Sequence, residues 1–237
     1  VSSADSAHLA SELRSLAASR GVAFFGIADL SPVAASLREL WPLDTSELPR
    51  GISMGIRLDD AILDRLLDRP SPETAAAYWD ACYGAINCRL EAVAGEVAEA
   101  LRAAGHAATA VGATATPEEG VPVGPISHKA VARMAGLGWI GRSCLLVTPS
   151  VGPRARWVTV ITDAPLRPTG SPMEVGCGDC TLCVDRCPAG AFSGQAFDPE
   201  HPLALRLDPK KCAPHIKQAG VCGLCIAVCP HGRQPDR

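Results

Sequence analysis

Apolar residues open the chain at helical spacing. Leu9, Leu13, Leu16 and Ala17 share one face of an amphipathic helix predicted over 5–20 and ended by Gly21. The pattern then changes period. Val22 to Ala28 is a short continuous apolar run, predicted as a buried strand, and Asp29, Ser31 and Pro32 break it. A short helix over 33–40 precedes Trp41-Pro42, and Gly51 to Leu58 predicts a second strand. Asp59 and Asp60 stand where a cap belongs, ahead of Ile62, Leu63, Leu66 and Leu67. The longest periodic stretch follows: Ser71 as N-cap and Pro72 at the first helical position open a helix predicted over 73–104. Its stripe is Tyr78, Cys82, Ile86, Leu90, Val93, Val97 and Leu101, and Gly105 closes it.

Beyond it, Ala107 to Ala115 predicts a strand and 116–125 a Pro/Gly-rich loop. Ser127 caps a short helix over 128–135, ended by Gly136. Two more strands are predicted, Cys144 to Val147 and Trp157 to Thr162, before a Pro/Gly/Ser-rich junction at 165–176. Alternating helices and strands predict an α/β (or α+β) sheet domain over 1–166, followed by a separate domain over 167–237. The charge balance of −3 and pI of about 6.1 leave no basic footprint for nucleic acid. No apolar run approaches the roughly 18 residues of a membrane span. Val1 to Asp5 has neither a basic n-region nor a twin-arginine pair, so a cytoplasmic location is expected.

The second domain carries the chemistry. Its cysteines read Cys177-x2-Cys180-x2-Cys183-x3-Cys187-Pro188, then Cys212, then Cys222-x2-Cys225-x3-Cys229-Pro230. A CxxCxxC turn wraps three thiolates around one cubane, and the fourth Cys, followed by Pro, ligates the other cluster in two-cluster ferredoxins. That rule predicts two [4Fe–4S] clusters, one on Cys177, Cys180, Cys183 and Cys229, the other on Cys187, Cys212, Cys222 and Cys225. Structural zinc also accepts four Cys, but its usual signature is two CxxC pairs without the third Cys and the Cys-Pro ending. Disulfides fit poorly with eight closely spaced thiols and no secretory signal. Cys82 and Cys88 fall on the long helix, six residues apart and therefore on different faces; both are read as buried structural thiols.

Gly136-Leu137-Gly138-Trp139-Ile140-Gly141 matches GxGxxG by letter. The dinucleotide fingerprint needs a strand before it and a helix N-terminus after it. This stretch follows a helix and enters a strand, so no helix dipole faces a pyrophosphate. The glycines instead let the backbone turn tightly or lie against a flat ligand.

Three stretches together resemble epoxyqueuosine reductase, and the related reductive dehalogenases share their order. They are Ser127 to Ala130 continuing through Ala135 to Arg142, then Val160 to Leu166, then the eight cysteines. The resemblance implies a nitroreductase-like sheet domain holding cobalamin without its lower base ligand, with the clusters feeding electrons to cobalt. It also implies an external donor such as ferredoxin or flavodoxin. Gly136, Gly138, Trp139 and Gly141 would border the macrocycle, while Lys129, Arg142 and His128 would line the acceptor site. There are departures. The family carries an Asp, proposed as proton donor, thirteen residues before Ala135; Pro122 stands there and cannot donate. His128 replaces a Glu. The C-terminal helical repeats that help the family hold tRNA are not found before Arg237, so a small-molecule substrate without nucleic acid or membrane partners is expected. No DxHxxG stretch provides a His ligand to cobalt. The rival expectation is an electron carrier whose sheet domain holds no organic cofactor.

Overall fold

The structure, a computed structural model, describes residues 3–68, 71–113, 124–201 and 205–233. Pro122 and most of the 116–125 loop lie outside them. In chain order the elements are α1 (Ser3–Ser19), β1 (Phe24–Asp29), α2 (Ala34–Leu40), β2 (Arg50–Arg57), α3 (Asp60–Asp64), α4 (Pro72–Tyr78), α5 (Asn87–Ala103), β3 (Ala108–Val111) and α6 (His128–Met134). They continue with β4 (Trp139–Ile140), β5 (Leu146–Val147), β6 (Ala155–Thr162), α7 (Leu182–Asp185), α8 (Pro209–Ala219) and α9 (Leu224–Ala227). Among the described residues no helix is long and apolar enough to cross a membrane.

The chain divides into two compact units, and neither is continuous. The first comprises 1–56, 86–137 and 156–173; the second comprises 57–85, 138–155 and 174–237. The cysteine-rich region expected to stand alone from 167 therefore shares its unit with two earlier segments.

The first unit is a four-stranded sheet in the order β1-β2-β6-β3 with helices on both faces. β1 and β2 pair antiparallel, Phe24 opposite Gly55 and Asp29 opposite Arg50; β3 and β6 also pair antiparallel. Side chains alternate across a strand, so Ile52, Met54 and Ile56 meet one face. There they pack with Phe25, Ile27, Val158 and Val160 against Leu13 and Ala17 of α1 and Leu90 to Leu101 of α5. The opposite face receives Leu37 of α2, Val131 of α6 and Ala135 just after it, over Ala28, Val111 and Ile161. Burial on both faces explains why these strands read as apolar runs. The small residues of that second face make room: a Cβ on Gly51 would lie 2.6 Å from Val131, and one on Gly26 2.9 Å from Ala135.

The predicted 73–104 helix forms as a continuous helical run with its middle rewound. Ser71 caps it through Thr74 N, as expected. Trp79–Ile86 is π-helical, between α4 and α5. A π segment accommodates extra residues per turn and re-phases the stripe. Tyr78 and Cys82 are buried in the second unit, and Leu90, Val93, Val97 and Leu101 in the first. Cys88, expected to be buried, is exposed.

In the second unit, α7 packs on α9 and α3 on both α4 and α9. The β4–β5 ladder pairs Trp139 with Val147 and Ile140 with Leu146. Asp59 caps α3 by accepting from Ala61 N.

Candidate metal centres and the residues around them

The two cysteine motifs fold as one design used twice. Each places its third thiol in or beside a one-turn helix, α7 around Cys183 and α9 around Cys225, and each turn closes on its own backbone. Cys180 N donates to Cys177 O at 3.1 Å and Ile226 N to Gly223 O at 3.0 Å. Ala191 N donates to Cys187 Sγ at 3.4 Å. Cys212 arrives on α8, which Asp208 caps through Lys210 N.

Five of the eight thiols are raised by burial and by neighbouring cysteines. Burial raises the Cys183 thiol, with Cys177 and Cys180 adding to it. Burial pushes Cys229 up to about 11, reinforced by Cys177, Cys183 and Cys180. Burial likewise raises Cys212, helped by Cys222 and Cys187, and Cys222, helped by Cys187. Cys225 is pushed up to about 12 by burial and then by Cys222, Cys212, Cys183 and Cys187. Apart from the Cys183–Cys225 coupling, these influences run within two sets: Cys177, Cys180, Cys183, Cys229 and Cys187, Cys212, Cys222, Cys225. Thiols that are withdrawn from water and repel one another as thiolates suit a shared positive centre. Among the described residues no three His, Cys, Asp or Glu side chains converge as a single ion requires.

The glycine stretch is built on close backbone approach. Gly136 has φ +75°, and a Cβ there would lie 2.9 Å from Gly170 Cα and from Ser171 N. A Cβ on Gly138 would collide with the Val147 carbonyl. At these two glycines the space expected for a flat ligand is taken by the chain itself. Gly141 is different: a Cβ there would lie 2.9 Å from Val147 Cγ2 and 3.4 Å from Cys177 Sγ, so its bareness lets the thiol close in. As expected, the stretch follows α6 and enters β4. Trp139 is buried, edge-on to His231 with ring centroids 5.1 Å apart, and a Cβ on Gly176 would lie 3.0 Å from its indole. Gly176 precedes Cys177 and His231 follows Cys229-Pro230, so the indole wedges between the approaches to two thiols of one set. Its buried Nε1 has no hydrogen-bond partner among the described residues.

Arg142, expected in an acceptor site, ties loops together. Its Nη2 donates to Gly178 O at 2.9 Å and its Nη1 to Gly194 O. Lys129 is half-buried in the first turn of α6. His128 is committed on both nitrogens. Nε2 donates to Gly112 O at 3.1 Å, since a carbonyl can only accept, and Nδ1 therefore accepts from Thr159 Oγ1 at 2.9 Å. Burial pushes its pKa down to about 4, with Arg156 and Lys129 opposing its charge. A neutral imidazole with both positions filled is a poor proton donor at neutral pH, which departs from the expected role. The sign of its pH effect follows. Between an unfolded pKa of about 6.5 and the folded value of about 4, the unfolded chain binds the extra proton. Stability from His128 is therefore present above pH 6.5 and lost as pH falls toward 4. The stability difference between the wild type and His128→Gln is expected to shrink across that window; a His128 ring resonance titrating near 6.5 would contradict this.

Arg154 carried no signal in its local sequence. Only 1% exposed, it donates to Asp60 at 2.8 Å, to Asp64 at 3.0 Å and to Ala227 O of α9 at 3.0 Å. Arg233 adds a second cation to Asp64 at 3.1 Å. Beside it, Gly152 (φ +58°) leaves no room for a Cβ against His231 O.

No family model matches the chain. Curated relatives do. The epoxyqueuosine reductase of Bacillus anthracis is 33% identical over 123 residues, covering 49% of this chain and 32% of the relative. That of Listeria monocytogenes is 31% identical over 132 residues, with the same shares. The matched stretch thus spans about a third of these relatives' length. Among solved structures, a catabolic reductive dehalogenase in complex with 3-bromo-4-hydroxybenzoic acid has a TM-score of 0.68 at 21% identity, over 94% of this chain and 31% of that one. An epoxyqueuosine reductase with an epoxyqueuosine-modified tRNA stem loop has a TM-score of 0.67 at 20% identity, over 96% and 66%. The chain is thus similar in sequence to epoxyqueuosine reductases, and it has the mixed α/β fold that those enzymes share with reductive dehalogenases.

Proposed function

We propose that this chain is an iron–sulfur reductase in which two [4Fe–4S] clusters would pass electrons singly from an external donor, such as ferredoxin or flavodoxin, toward reduction of a small substrate, with a corrinoid as the acceptor that its relatives suggest. The observation that carries the cluster half is that the five thiols raised by burial, Cys183, Cys212, Cys222, Cys225 and Cys229, each lie near further cysteines that, the nearness of Cys183 to Cys225 apart, fall into two groups of four. Cys177, Cys180, Cys183 and Cys229 would hold one cluster, and Cys187, Cys212, Cys222 and Cys225 the other. Each supplies one-electron chemistry when bound. Around them Arg142 ties the loop after Cys177 to the Gly194 loop, Gly141 admits the Cys177 thiol, and Trp139 keeps water from the Cys177 and Cys229 approaches.

The corrinoid half rests on the relatives, one of which is described as performing B12-dependent dehalogenation. The residues offered for it fit poorly, because the spaces at Gly136 and Gly138 are filled and Arg142 is engaged with carbonyls. No step is therefore assigned to it. The same geometry favours the second reading, an electron carrier without an organic cofactor. Titrating cob(II)alamin into anaerobically reconstituted protein separates the two: a changed electron-spin spectrum with a saturable midpoint is expected for the reductase. An unchanged spectrum at saturating corrinoid, with full iron, leaves the carrier. A small-molecule substrate and a cytoplasmic setting belong to this proposal. One solved relative holds a tRNA stem loop, so stem-loop binding at physiological salt is the measurement that would displace the small substrate.

A further inference from the structure

The surface of the second unit concentrates positive charge at one place. Helix α8 contains Lys210, Lys211, His215 and Lys217 and no acidic residue, in a chain whose net charge is −3. All three lysines are exposed, as is Arg186. At 100° per residue, Lys210 and Lys217 lie within about 20° of each other around the axis, while Cys212 lies about 200° from Lys210. The helix thus turns its thiol toward Cys222 and Cys187 and its lysines toward water.

Two apolar features adjoin this basic face. A cavity of about 380 Å³ is lined by Leu66, Leu224, Arg186, His215, Cys222 and one carboxylate, Asp68. Past the end of α8, Trp79 is 43% exposed, lies tilted against Tyr83 with centroids 4.1 Å apart, and donates from Nε1 to Gly220 O at 2.7 Å. An exposed, rigidly held Trp beside basic side chains has the composition of a protein-docking patch.

We infer that the outer face of α8, with Arg186 and Trp79, docks an acidic one-electron carrier protein that reduces the cluster held by Cys187, Cys212, Cys222 and Cys225. The inference rests on the proposed cluster content. Positive charge steers an acidic partner, and a partner seated there is separated from Cys212 by roughly the 10–12 Å diameter of a helix. The step moves one electron: the carrier's reduced iron centre is oxidised, the cluster is reduced, and no bond or proton changes hands. RNA would also favour lysines, but it brings no electron to a helix that carries a cluster thiol on its inner side.

The test uses the reconstituted, cluster-loaded protein and reduced ferredoxin in an anaerobic stopped-flow, following cluster bleaching. Lys210→Glu/Lys217→Glu is expected to lower the second-order rate by about 10-fold or more at low salt, within the range of electrostatic steering. The wild-type rate should fall steeply with added salt and that of the variant should not. Dithionite, a small reductant, reports on the clusters themselves and should reduce both proteins at similar rates. Full iron with an unchanged ferredoxin rate overturns the docking surface alone. A wild-type chain that takes up no iron overturns the proposed function instead. If the double variant loses iron, Lys217→Glu, five residues from Cys212, is read in its place. Loss of tRNA stem-loop binding with the ferredoxin rate retained also overturns the inference.

Discussion

Replacing Cys187 with alanine is expected to halve the iron of the anaerobic protein, from about eight to about four per chain, as two cubanes with four cysteine ligands each require. The cluster lost should be the one built from Cys212, Cys222 and Cys225, even though Cys187 follows Cys177, Cys180 and Cys183 in sequence. Cys229→Ala should do the reverse. The expectation rests on where each thiol finds its neighbours. Cys229 is raised by Cys177, Cys183 and Cys180, and Cys187 in turn raises Cys212, Cys222 and Cys225. Cys82→Ala, Cys88→Ala and Cys144→Ala should keep full iron. Electron-spin spectra of the two ligand variants decide the matter: if each mutation abolishes its own sequence-local triplet, the exchange of fourth ligands is wrong.

The second large effect is expected at Arg154. Its guanidinium is almost wholly buried, and Arg154→Ala would strand Ala227 O and leave a void. Removing one partner of a buried ion pair costs about 3–5 kcal/mol. Asp60 and Asp64 are 39% and 50% exposed and can rehydrate, which places the cost toward the lower end, at about 3 kcal/mol. For a chain of this size that corresponds to a melting temperature lower by roughly 6–12 °C. Because Ala227 lies on α9, between Cys225 and Cys229, iron should also leave faster in urea. Arg154→Lys keeps the charge without the two-pronged donor and should fall between. A melting temperature within about 2 °C of wild type for the alanine variant would show that the network contributes little.

What the sequence makes legible is what short-range chemistry determines. Ser71, Asp59 and Ser127 cap their helices as read, because a cap needs only a side-chain oxygen and amides two or three residues on. Strands buried on both faces announce themselves as apolar runs, and the thiol spacing is what wrapping one turn around one proposed cluster would require. His128 was not legible, since its partner Thr159 is 31 residues away and its burial depends on that pairing. Gly136 and Gly138 gave a correct turn and no indication that Ser171 and Val147 would fill the space beside them. The sequence keeps apolar residues at i and i+4 through Trp79–Ile86, so periodicity alone reads one helix and does not show the rewinding. Arg154 looks like any surface arginine until α3 and α9 surround it.

The interleaving of the two units sets an order of assembly. Residues 57–85 leave the ribosome about 90 residues before position 174, where the last segment of their unit begins. At about 5–20 residues per second they wait on the order of ten seconds for those partners. During that interval Leu63, Leu66 and Tyr78, all buried in the finished protein, have no completed core to enter. Loading of the proposed clusters, which would need Cys177 through Cys229, could only follow. Chaperone demand and sensitivity to iron starvation should therefore coincide in the nascent chain, and a fragment cut at 166 would leave 57–85 and 138–155 without the segment that completes their unit.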